Sequence, residues 1–571
     1  MDSTTQSPSP HQAADAPAGG GAAPAAAALA AEVHADKTAK TAGLEQTWLR
    51  FETVLDRVGD WLNPILVKEA RQAMKSRQFV VTFSLLLIFG WLWTVIFIAL
   101  SVPDVFFAPV GPAVLTGYYI VLSIPLLIVV PYAAFRSLAG ECEDGTYELL
   151  SITSLSARQI VLGKLGSAVL QMMVYYSALA PCIAFTYLLR GIDVLTIGMF
   201  LTYTFLASLL LSIVGLMLAT VTRARHWQVL LSVVFVMALL VFTVIWDFFI
   251  IAVIVNRQTP PFDEADFWIA NLCGLSFYLP IAALLLQIGA GQITFASENR
   301  SGPLRVLLAG LHVLIVAWFT YYWLRTDTGE LLFGQIIVAA GFWAVIGAFL
   351  TGETAQLSPR AKRQLPQSFL GRMAFTWFNP GSGTGYVFAM LNLLSVLAIA
   401  WIGVSAALIG GFEYYPALPE YYYFSATLVG YVLGYLGLVR LMIVALRRVT
   451  HVGLLATFLC QVIAASGAVL FPYLMHVVSV WGDFSNSSYS LVQLPNWVWT
   501  LYEVHEQTVF SGWELTATVA SAGLVIFLVN LVVAAREVEH VRAAAPQRVI
   551  EDELAQHPEL SPRKKKNPWD E

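Results

Sequence analysis

The sequence predicts an all-α protein, a polytopic bundle of about 12 transmembrane helices with amphipathic segments on its cytoplasmic side. Hydrophobic residues make up 58% of the 571 residues and charged residues only 12%, whereas a soluble domain carries about 25% charge. The apolar residues lie in long stretches that can cross a bilayer core of ~30 Å. Because lipid offers no partner to backbone amides outside a helix or a closed barrel, these stretches are expected to be helices.

The chain divides into five predicted regions. Residues 1–44 are rich in Ala and Pro and lack the basic-then-apolar order of a secretory signal, so we expect a disordered cytoplasmic tail. The other regions are an amphipathic entry region at 45–78, a six-span half at 79–290, a second six-span half at 304–535 and a charged cytoplasmic tail at 536–571.

Twelve apolar stretches are long enough to span the membrane. Those of the first half cover residues 79–100, 113–135, 164–189, 194–221, 227–254 and 267–289. Those of the second half cover residues 304–324, 332–351, 384–410, 422–446, 450–479 and 513–535.

The distribution of positive charge predicts the orientation. With the N-terminus inside, 29 of the 32 Lys and Arg residues fall on the cytoplasmic side, which is the side that such residues favour. Both termini are therefore expected inside, and the number of spans is expected to be even. Ten or fourteen spans would satisfy this condition as well as twelve. The net charge of −5 gives no basic field for nucleic acid, and the four cysteines have neither disulfide nor zinc spacing.

An amphipathic entry helix is predicted just before the first span, within WLNPILVKEARQAMKSRQF. Asn63 is a typical N-cap, Pro64 suits the first helical position, and Leu62 with Val67 has the spacing of a hydrophobic staple. The residues expected to face the acyl chains are Leu62, Leu66, Ala70, Ala73 and Met74, and those expected in the headgroup layer are Lys68, Glu69, Arg71, Lys75 and Arg77. The simpler interpretation is a basic flank that only fixes the topology.

A second polar element is predicted between the second and third spans, in SLAGECEDGTYELLSITSLSARQIVLGK. Glu141, Glu143 and Asp144 bring negative charge before a helix start, and Gly145 permits a tight turn. A short amphipathic helix is expected over residues 147–152.

A further helix start follows, because Ser156 and Gln159 form an S-x-x-Q capping box and Leu155 with Ile160 has staple spacing. This start launches the third span. Helix, sharp break and capped helix together predict a rigid projection suited to transmitting a conformational change to a partner. The simpler interpretation is a surface turn that only connects two spans.

The string from Glu141 to Lys164 resembles the signature of the type-2 ATP-binding-cassette (ABC) transporter permeases, roughly acidic-x-acidic-x-G-T-x-E-L-L, then T-P-L-S-x-x-E-I, then G-K. The matching residues are Glu143, Gly145, Thr146, Glu148, Leu149, Leu150, Thr153, Leu155, Ser156, Ile160, Gly163 and Lys164. Ser154 stands where the pattern usually has proline, and Gln159 where it often has glutamate. The string N-P-x-x-x-K-E-x-R, from Asn63 to Arg71, also resembles the entry helix of bacterial members. The resemblance covers about residues 60–290.

The resemblance implies the membrane-spanning permease subunit of an ATP-binding-cassette transporter, an exporter of a bacterial inner membrane, powered by a separate ATPase subunit. The residues that it implies for contact with the ATPase are Glu141, Glu143, Asp144, Gly145, Thr146, Glu148, Leu149, Leu150, Lys68, Glu69 and Arg71. We call residues 137–164, between the second and third spans, the coupling segment. Pairing with a second permease, as a homodimer or a heterodimer, is also expected. No phosphate-binding loop G-x-x-x-x-G-K-[ST] occurs in the chain, so we expect no enzyme activity and no cofactor here, with ATP bound by the partner.

The second half carries weaker signals. Its Trp377-Phe-Asn-Pro380 echoes Trp61-Leu-Asn-Pro64, but the connection LRRVTHVG between the tenth and eleventh spans is too short for a second copy of the coupling segment. We therefore expect one coupling half followed by six divergent or accessory spans, with an internal duplication as the alternative.

Several other residues allow both a structural and a functional interpretation. Lys164 is expected to anchor the third span in the headgroup layer. His505 and Glu506 begin like a zincin motif, but Val509 stands where the second histidine is required. Glu503, His505 and Glu506 are expected to form a solvated acidic face, with a divalent-ion site as the alternative. The tryptophans of the same outer loop are expected to form an interfacial belt. The functional alternative is that they form a lid over an exit pathway.

Polar residues at membrane depth are costly in lipid and usually face a bundle interior. Gln171, Asp247 and His312 are the candidates for a substrate pathway, and each has a packing contact as its alternative. Asp247 and His312 also leave open an ion-coupled secondary transporter. The acidic and aromatic outer loop and the basic C-terminal tail leave open a membrane anchor or assembly factor of a surface complex, and the same tail is suited to contact anionic membrane lipid.

Overall fold

In the computed structural model, the residues described here are 64–102, 107–143, 156–222, 224–256, 259–294, 299–326, 328–354, 376–409, 418–450, 452–479, 489–507, 509–542, 552 and 555–557. Within them the protein is all-α. Seven helices form the first half: α1 (Pro64–Lys75), α2 (Arg77–Ser101), α3 (Gly111–Glu143), α4 (Ala157–Leu188), α5 (Val194–Ala219), α6 (Arg225–Val255) and α7 (Ala265–Ile293). The second half comprises α8 (Ser301–Thr326), α9 (Glu330–Leu350), α10 (Ser382–Ile409), α11 (Leu418–Leu446), α12 (Leu454–Ser479), α13 (Trp497–Glu506) and α14 (Gly512–Arg542).

Twelve of these helices, all except α1 and α13, are long and apolar enough to cross a membrane. Each overlaps one of the predicted spans, so the predicted fold class is confirmed and the chain is a multi-pass membrane protein. The largest boundary differences are at the end of α3, the start of α4 and the end of α14, where the helices continue into polar sequence. The predicted bounds follow the apolar residues, which mark only the part of a helix that lies in lipid. Polar turns extend the helix beyond that part. We call the side where α1 lies the inner side.

Two large hydrophobic cores and one small cluster around Tyr489, Val504 and Leu515 hold the described part of the bundle together. Residues of α1 to α7 form the first core, and residues of α8 to α11 and α14 form the second. The main seam between them is the packing of α7 against α8, where Leu284 reaches the second core and Trp318 Nε1 donates to Ser276 Oγ at 2.8 Å. The protein therefore consists of two packed halves joined along one helix pair.

Helix α3 contains a π turn at Pro125–Val129. Because Pro125 has no backbone N–H, the regular hydrogen-bond pattern is broken at this point, and π turns inside helices are frequent at functional sites. Ser208 Oγ, on α5, donates to the carbonyl of Leu126 at 2.5 Å. The distortion thus gives α3 a polar contact with α5 in the middle of the first half.

The segment from Tyr489 to Glu506 enters the outer half of the bundle and returns. Tyr431 and Tyr435, near the middle of α11, donate to the carbonyls of Leu494 and Pro495. From that depth α13 rises outward until the ring of His505 packs against Phe333, three residues after the outer start of α9, at 5.9 Å. Non-helical backbone at membrane depth needs hydrogen-bond partners, and the two tyrosines supply them to Leu494 and Pro495.

This re-entrant segment, residues 489–506, corrects two expectations. Glu503 is 1% exposed and accepts from the backbone N–H of Val509 and Phe510 at 2.6 and 3.1 Å, so it is not solvated but fixes the turn after α13. Trp497 Nε1 donates to the carbonyl of Ala465, near the middle of α12, at 3.3 Å, so this tryptophan is not part of an interfacial belt. The sequence shows no difference between a surface loop and one that dips inward, because the tyrosine partners lie on another helix.

Candidate functional site

The entry helix α1 lies along the inner end of α4. A Cβ atom on Gly166 of α4 would lie 2.7 Å from Leu66 Cδ1 of α1, so the missing side chain of this glycine permits the close approach. Leu66, Ala70 and Ala73 are partly buried, and Met74 is exposed. The helix α1 begins at Pro64, the predicted first helical position, whereas the predicted N-cap Asn63 and the staple residue Leu62 lie outside the described residues. The described apolar residues of α1 pack largely against protein rather than acyl chains.

A buried lysine joins three elements at this inner end. Lys164 Nζ lies 3.2 Å from Glu69 Oε1 on α1 and 2.9 Å from Glu141 Oε1 at the end of α3. It also donates to the carbonyl of Ser137 at 3.1 Å. The three ammonium donors thus have three acceptors, and we call these four residues the lysine clamp.

The expectation that Lys164 anchors α4 in the headgroups is wrong, because the residue is only 3% exposed. A buried ammonium is costly unless carboxylates compensate it, and two carboxylates do so here. The sequence signal for this arrangement is weak, because Glu69, Glu141 and Lys164 are far apart along the chain and no periodicity connects them.

The predicted coupling residues fall into three groups. Glu69 and Glu141 belong to the lysine clamp. Lys68 and Arg71 are exposed on α1, and Glu143, the last residue of α3, is partly exposed. The remaining predicted residues, which are Asp144, Gly145, Thr146, Glu148, Leu149 and Leu150, lie outside the described residues.

The helix start after this segment is confirmed. Ser156 Oγ accepts from Gln159 N at 3.3 Å, and Gln159 Oε1 accepts from Ser156 N at 2.9 Å. Both arms of the predicted capping box are therefore present. The chain leaves α3 at the lysine clamp and enters α4 at this capping box, so both helix ends that flank residues 144–155 are fixed by side-chain contacts.

A crevice of about 340 Å³ opens beside the lysine clamp, between α1, the start of α2, α3 and α4. Lys164, Ser167 and Gln171 line it from one face of α4, as their spacing of three and four residues requires. Gln171, a predicted pathway residue, therefore faces a polar crevice at the inner end of the first half.

Asp247 lies toward the outer end of α6. Ser123 Oγ, two residues before the π turn of α3, donates to Asp247 Oδ2 at 2.8 Å. Asp247 Oδ1 is buried and accepts no hydrogen bond from the described residues. Beside this pair, Tyr119 Oη and Thr204 Oγ1 are 2.7 Å apart, so α3, α5 and α6 share a polar cluster in the outer half of the bundle.

His312 makes two packing contacts inside the second half. Trp343 Nε1 donates to His312 Nδ1 at 3.0 Å. Because indole N–H is only a donor, Nδ1 must be unprotonated and the ring proton sits on Nε2, 3.0 Å from Ser395 Oγ. Both ring nitrogens of His312 are thus engaged in a neutral tautomer, an arrangement that favours the packing interpretation over a proton relay.

Two buried arginines fix the inner end of the second half. In the sequence they indicate only which side of the membrane they lie on. Arg305, on α8, is 0% exposed. Its guanidinium lies 2.5 Å from Glu353 Oε2 and donates to the carbonyls of Trp377 and Gly381 at 2.5 and 3.4 Å. Since Glu353 follows α9 and Trp377 and Gly381 precede α10, the arginine holds both ends of the connection between these helices. We call these four residues the arginine clamp.

Arg440 of α11 is the second buried arginine. It pairs with Glu537 of α14 at 3.0 Å and donates to Asn530 Oδ1 at 2.8 Å. Glu537 Oε2 also accepts from Gly383 N at 3.0 Å, where a Cβ atom on Gly383 would lie 2.6 Å from that carboxylate. Helices α10, α11 and α14 are therefore tied together at their inner ends.

Comparison of the chain with protein-family models, with curated proteins and with solved structures gives no match.

Proposed function

We propose that this chain is the membrane-spanning permease subunit of an ATP-binding-cassette exporter and that a separate ATPase subunit drives it from the inner side. The observation that carries the proposal is the lysine clamp. Lys164 joins the entry helix, through Glu69, to the end of α3, through Glu141. These are the two elements to which the sequence resemblance assigns ATPase contact.

The clamp supplies a physical route for coupling. A push on α1 or on residues 144–155 acts on α3 and α4 together, because one buried cation bonds to both α1 and α3 from the start of α4. Packed elements with fixed contacts transmit displacement as a unit. Helix α3 then carries the displacement to its π turn at Pro125–Val129, which lies next to the polar cluster of Asp247 and Ser123.

The test uses the exposed part of this surface, where a substitution leaves the clamp intact. Glu143→Lys and Arg71→Glu reverse charges at the inner end without touching Lys164, and Glu330→Lys reverses an exposed charge at the start of α9. The chain is purified from its native host in mild detergent, and proteins that copurify are identified by mass spectrometry and assayed for ATP hydrolysis in proteoliposomes.

We expect a stoichiometric partner with a phosphate-binding loop whose ATP hydrolysis the wild-type chain stimulates. Glu143→Lys and Arg71→Glu lower that stimulation at least tenfold, and Glu330→Lys leaves it within twofold of wild type. A folded, monodisperse chain without any ATPase would contradict the proposal, as would equal stimulation by all three variants.

A second candidate, an ion-coupled transporter, is favoured by the buried Asp247 Oδ1 that accepts no hydrogen bond from the described residues. Ionisable groups at membrane depth mark ion pathways more often than other residues do. Proton flux into dye-loaded proteoliposomes distinguishes the two mechanisms. Asp247→Asn abolishes gradient-driven flux if the chain is ion-coupled, whereas an ATP-driven permease shows no such flux before or after the substitution.

A further inference from the structure

The two halves pack their spans in the same order. The six spans of the first half are α2 to α7, and those of the second half are α8 to α12 and α14. In both halves the second span packs against the first, third, fourth and fifth. The third span packs also against the first, fourth and sixth, and the fourth also against the fifth and sixth. In the described part of the chain, the remaining pairs within each half make at most marginal contact.

Connectivity alone does not impose this pattern. Consecutive elements are usually neighbours, yet in both halves the fifth and sixth spans do not pack on one another within the described residues. In the first half the pair α6 and α7 is joined by a short connection, and in the second the pair α12 and α14 is joined through the re-entrant segment. The fifth and sixth spans stay apart in the described part of both halves although the segments that connect them differ. This indicates that the two halves repeat one fold, and not that their loops force the same packing.

Both halves also hold the end of their second span with a buried cation. Glu141 lies in the last turn of α3 and pairs with Lys164, and Glu353 follows α9 and pairs with Arg305. The cations come from different helices, Lys164 from the third span and Arg305 from the first span of its half. Each also donates to a backbone carbonyl oxygen near the inner ends of the second and third spans, which is that of Ser137 within α3 in one half and that of Trp377 before α10 in the other.

This correspondence places the counterpart of the coupling segment between α9 and α10. The connection between the tenth and eleventh spans is too short to hold this counterpart. Between Leu350, the last residue of α9, and Ser382, the first of α10, the chain is longer than between α3 and α4, and the echo Trp377-Phe-Asn-Pro380 falls within it.

We propose that the chain is an internal duplication in which one copy supplies both permease halves, and that the arginine clamp frames a second docking surface for an ATPase subunit. The inference rests on the proposed function. Both halves begin on the inner side, so they are parallel repeats, the arrangement related by an axis along the membrane normal. One chain then takes two ATPase subunits, and no second permease chain is needed.

The chemistry of the two surfaces differs. The first presents the exposed Lys68 and Arg71 and the partly exposed Glu143 around a lysine clamp. The second presents the partly exposed Glu353, Trp377 and Phe378 around an arginine clamp. Because the surfaces are alike in position and unlike in residues, the two ATPase sites are expected to respond independently to substitution.

Two counts test the proposal, both made on the full chain purified from its native host. Single-molecule photobleaching of a fluorescent fusion in proteoliposomes counts chains per particle, and native mass spectrometry counts ATPase subunits per chain. We expect one chain and two ATPase subunits. Two chains with two ATPase subunits would overturn the duplication while leaving the proposed function intact, and one or two chains without any ATPase would overturn the proposed function on which it rests.

Single substitutions show which clamp supports which of the two ATPase sites. Lys164→Met should leave one ATPase subunit per chain, and Glu353→Gln or Arg305→Lys should remove the other. Arg325→Gln is the matched control, since Arg325 pairs with Asp266 at the outer ends of α8 and α7. Glu353→Gln keeps the shape of the side chain and Arg305→Lys keeps the charge, so a count of two with a folded Glu353→Gln and a folded Arg305→Lys chain would reject the second surface.

Discussion

Lys164 and Glu141 stand on opposite sides of residues 144–155 in the chain, and their side chains meet at 2.9 Å. The ammonium is almost wholly buried and the two carboxylates are only 12% and 18% exposed, so the contact closes the base of this segment through an interaction that is largely shielded from water. The same lysine bonds to Glu69, which makes the entry helix part of that base.

Removing the Lys164 ammonium is expected to lower the stability of the folded protein. Lys164→Met leaves two carboxylates, Glu69 and Glu141, near each other without a counter-charge, and removing one partner of a buried ion pair costs about 3–5 kcal/mol. Thermal unfolding in detergent measures the loss. Glu69→Gln combined with Lys164→Met should recover part of it, because one uncompensated charge is then gone. Equal stability of Lys164→Met and wild type would show that water compensates the charges.

The approach of α1 to α4 depends on Gly166. Gly166→Val should separate the helices, since a Cβ atom there lies 2.7 Å from Leu66 Cδ1, and overpacking costs about 1–3 kcal/mol. Gly140→Val is the control, because a Cβ atom at Gly140 meets nothing within 4 Å. Thermal unfolding should rank Gly166→Val well below Gly140→Val, and adding Leu66→Ala should restore part of the difference.

The re-entrant segment depends on two hydroxyl groups. Tyr431→Phe and Tyr435→Phe each remove the donor that satisfies a carbonyl at membrane depth, and an unsatisfied buried acceptor costs about 1–3 kcal/mol. Tyr502→Phe, at an exposed position of α13, should change stability little. The unfolding free energy of the three variants checks this expectation. If Tyr431→Phe and Tyr435→Phe match Tyr502→Phe, the segment is held by other contacts.

The tautomer of His312 can be observed directly. With Trp343 N–H donating to Nδ1, side-chain ¹⁵N chemical shifts should show an unprotonated Nδ1 and a protonated Nε2 in the selectively labelled protein. Trp343→Phe removes the donor and should allow the other tautomer to appear. A protonated Nδ1 in the wild-type protein would reverse the assignment and restore His312 as a proton-relay candidate.

Asp193 should give the outer end of α5 a pH-dependent stability. Burial tends to raise the pKa of this N-cap carboxyl, but hydrogen bonds from Thr196 Oγ1 and N at 2.6 and 2.9 Å help hold it below its ordinary value. A lowered pKa stabilises the folded state above the unfolded pKa of ~3.9, and that contribution is lost as the pH falls through the folded value. The stability of wild type relative to Asp193→Asn should therefore shrink between pH 6 and pH 3. A constant difference would contradict the charge effect.

The sequence alone determined the parts of this protein that follow from local chemistry. The twelve spans follow from apolar length, because a helix that crosses lipid must be apolar along its own sequence whatever its neighbours are. The capping box of Ser156 and Gln159 was also predictable, since both partners lie within one helical turn.

Only the tertiary structure decided which distant residues meet. Lys164 with Glu69, Arg305 with Glu353, and Tyr431 with Leu494 are contacts between different helices. Helix faces in lipid carry almost no polar pattern that could predict them, because lipid-facing and protein-facing positions are both apolar. For the same reason the common packing of the two halves could not be inferred from their sequences. It depends on which faces touch, and that is fixed by the packing of the whole bundle.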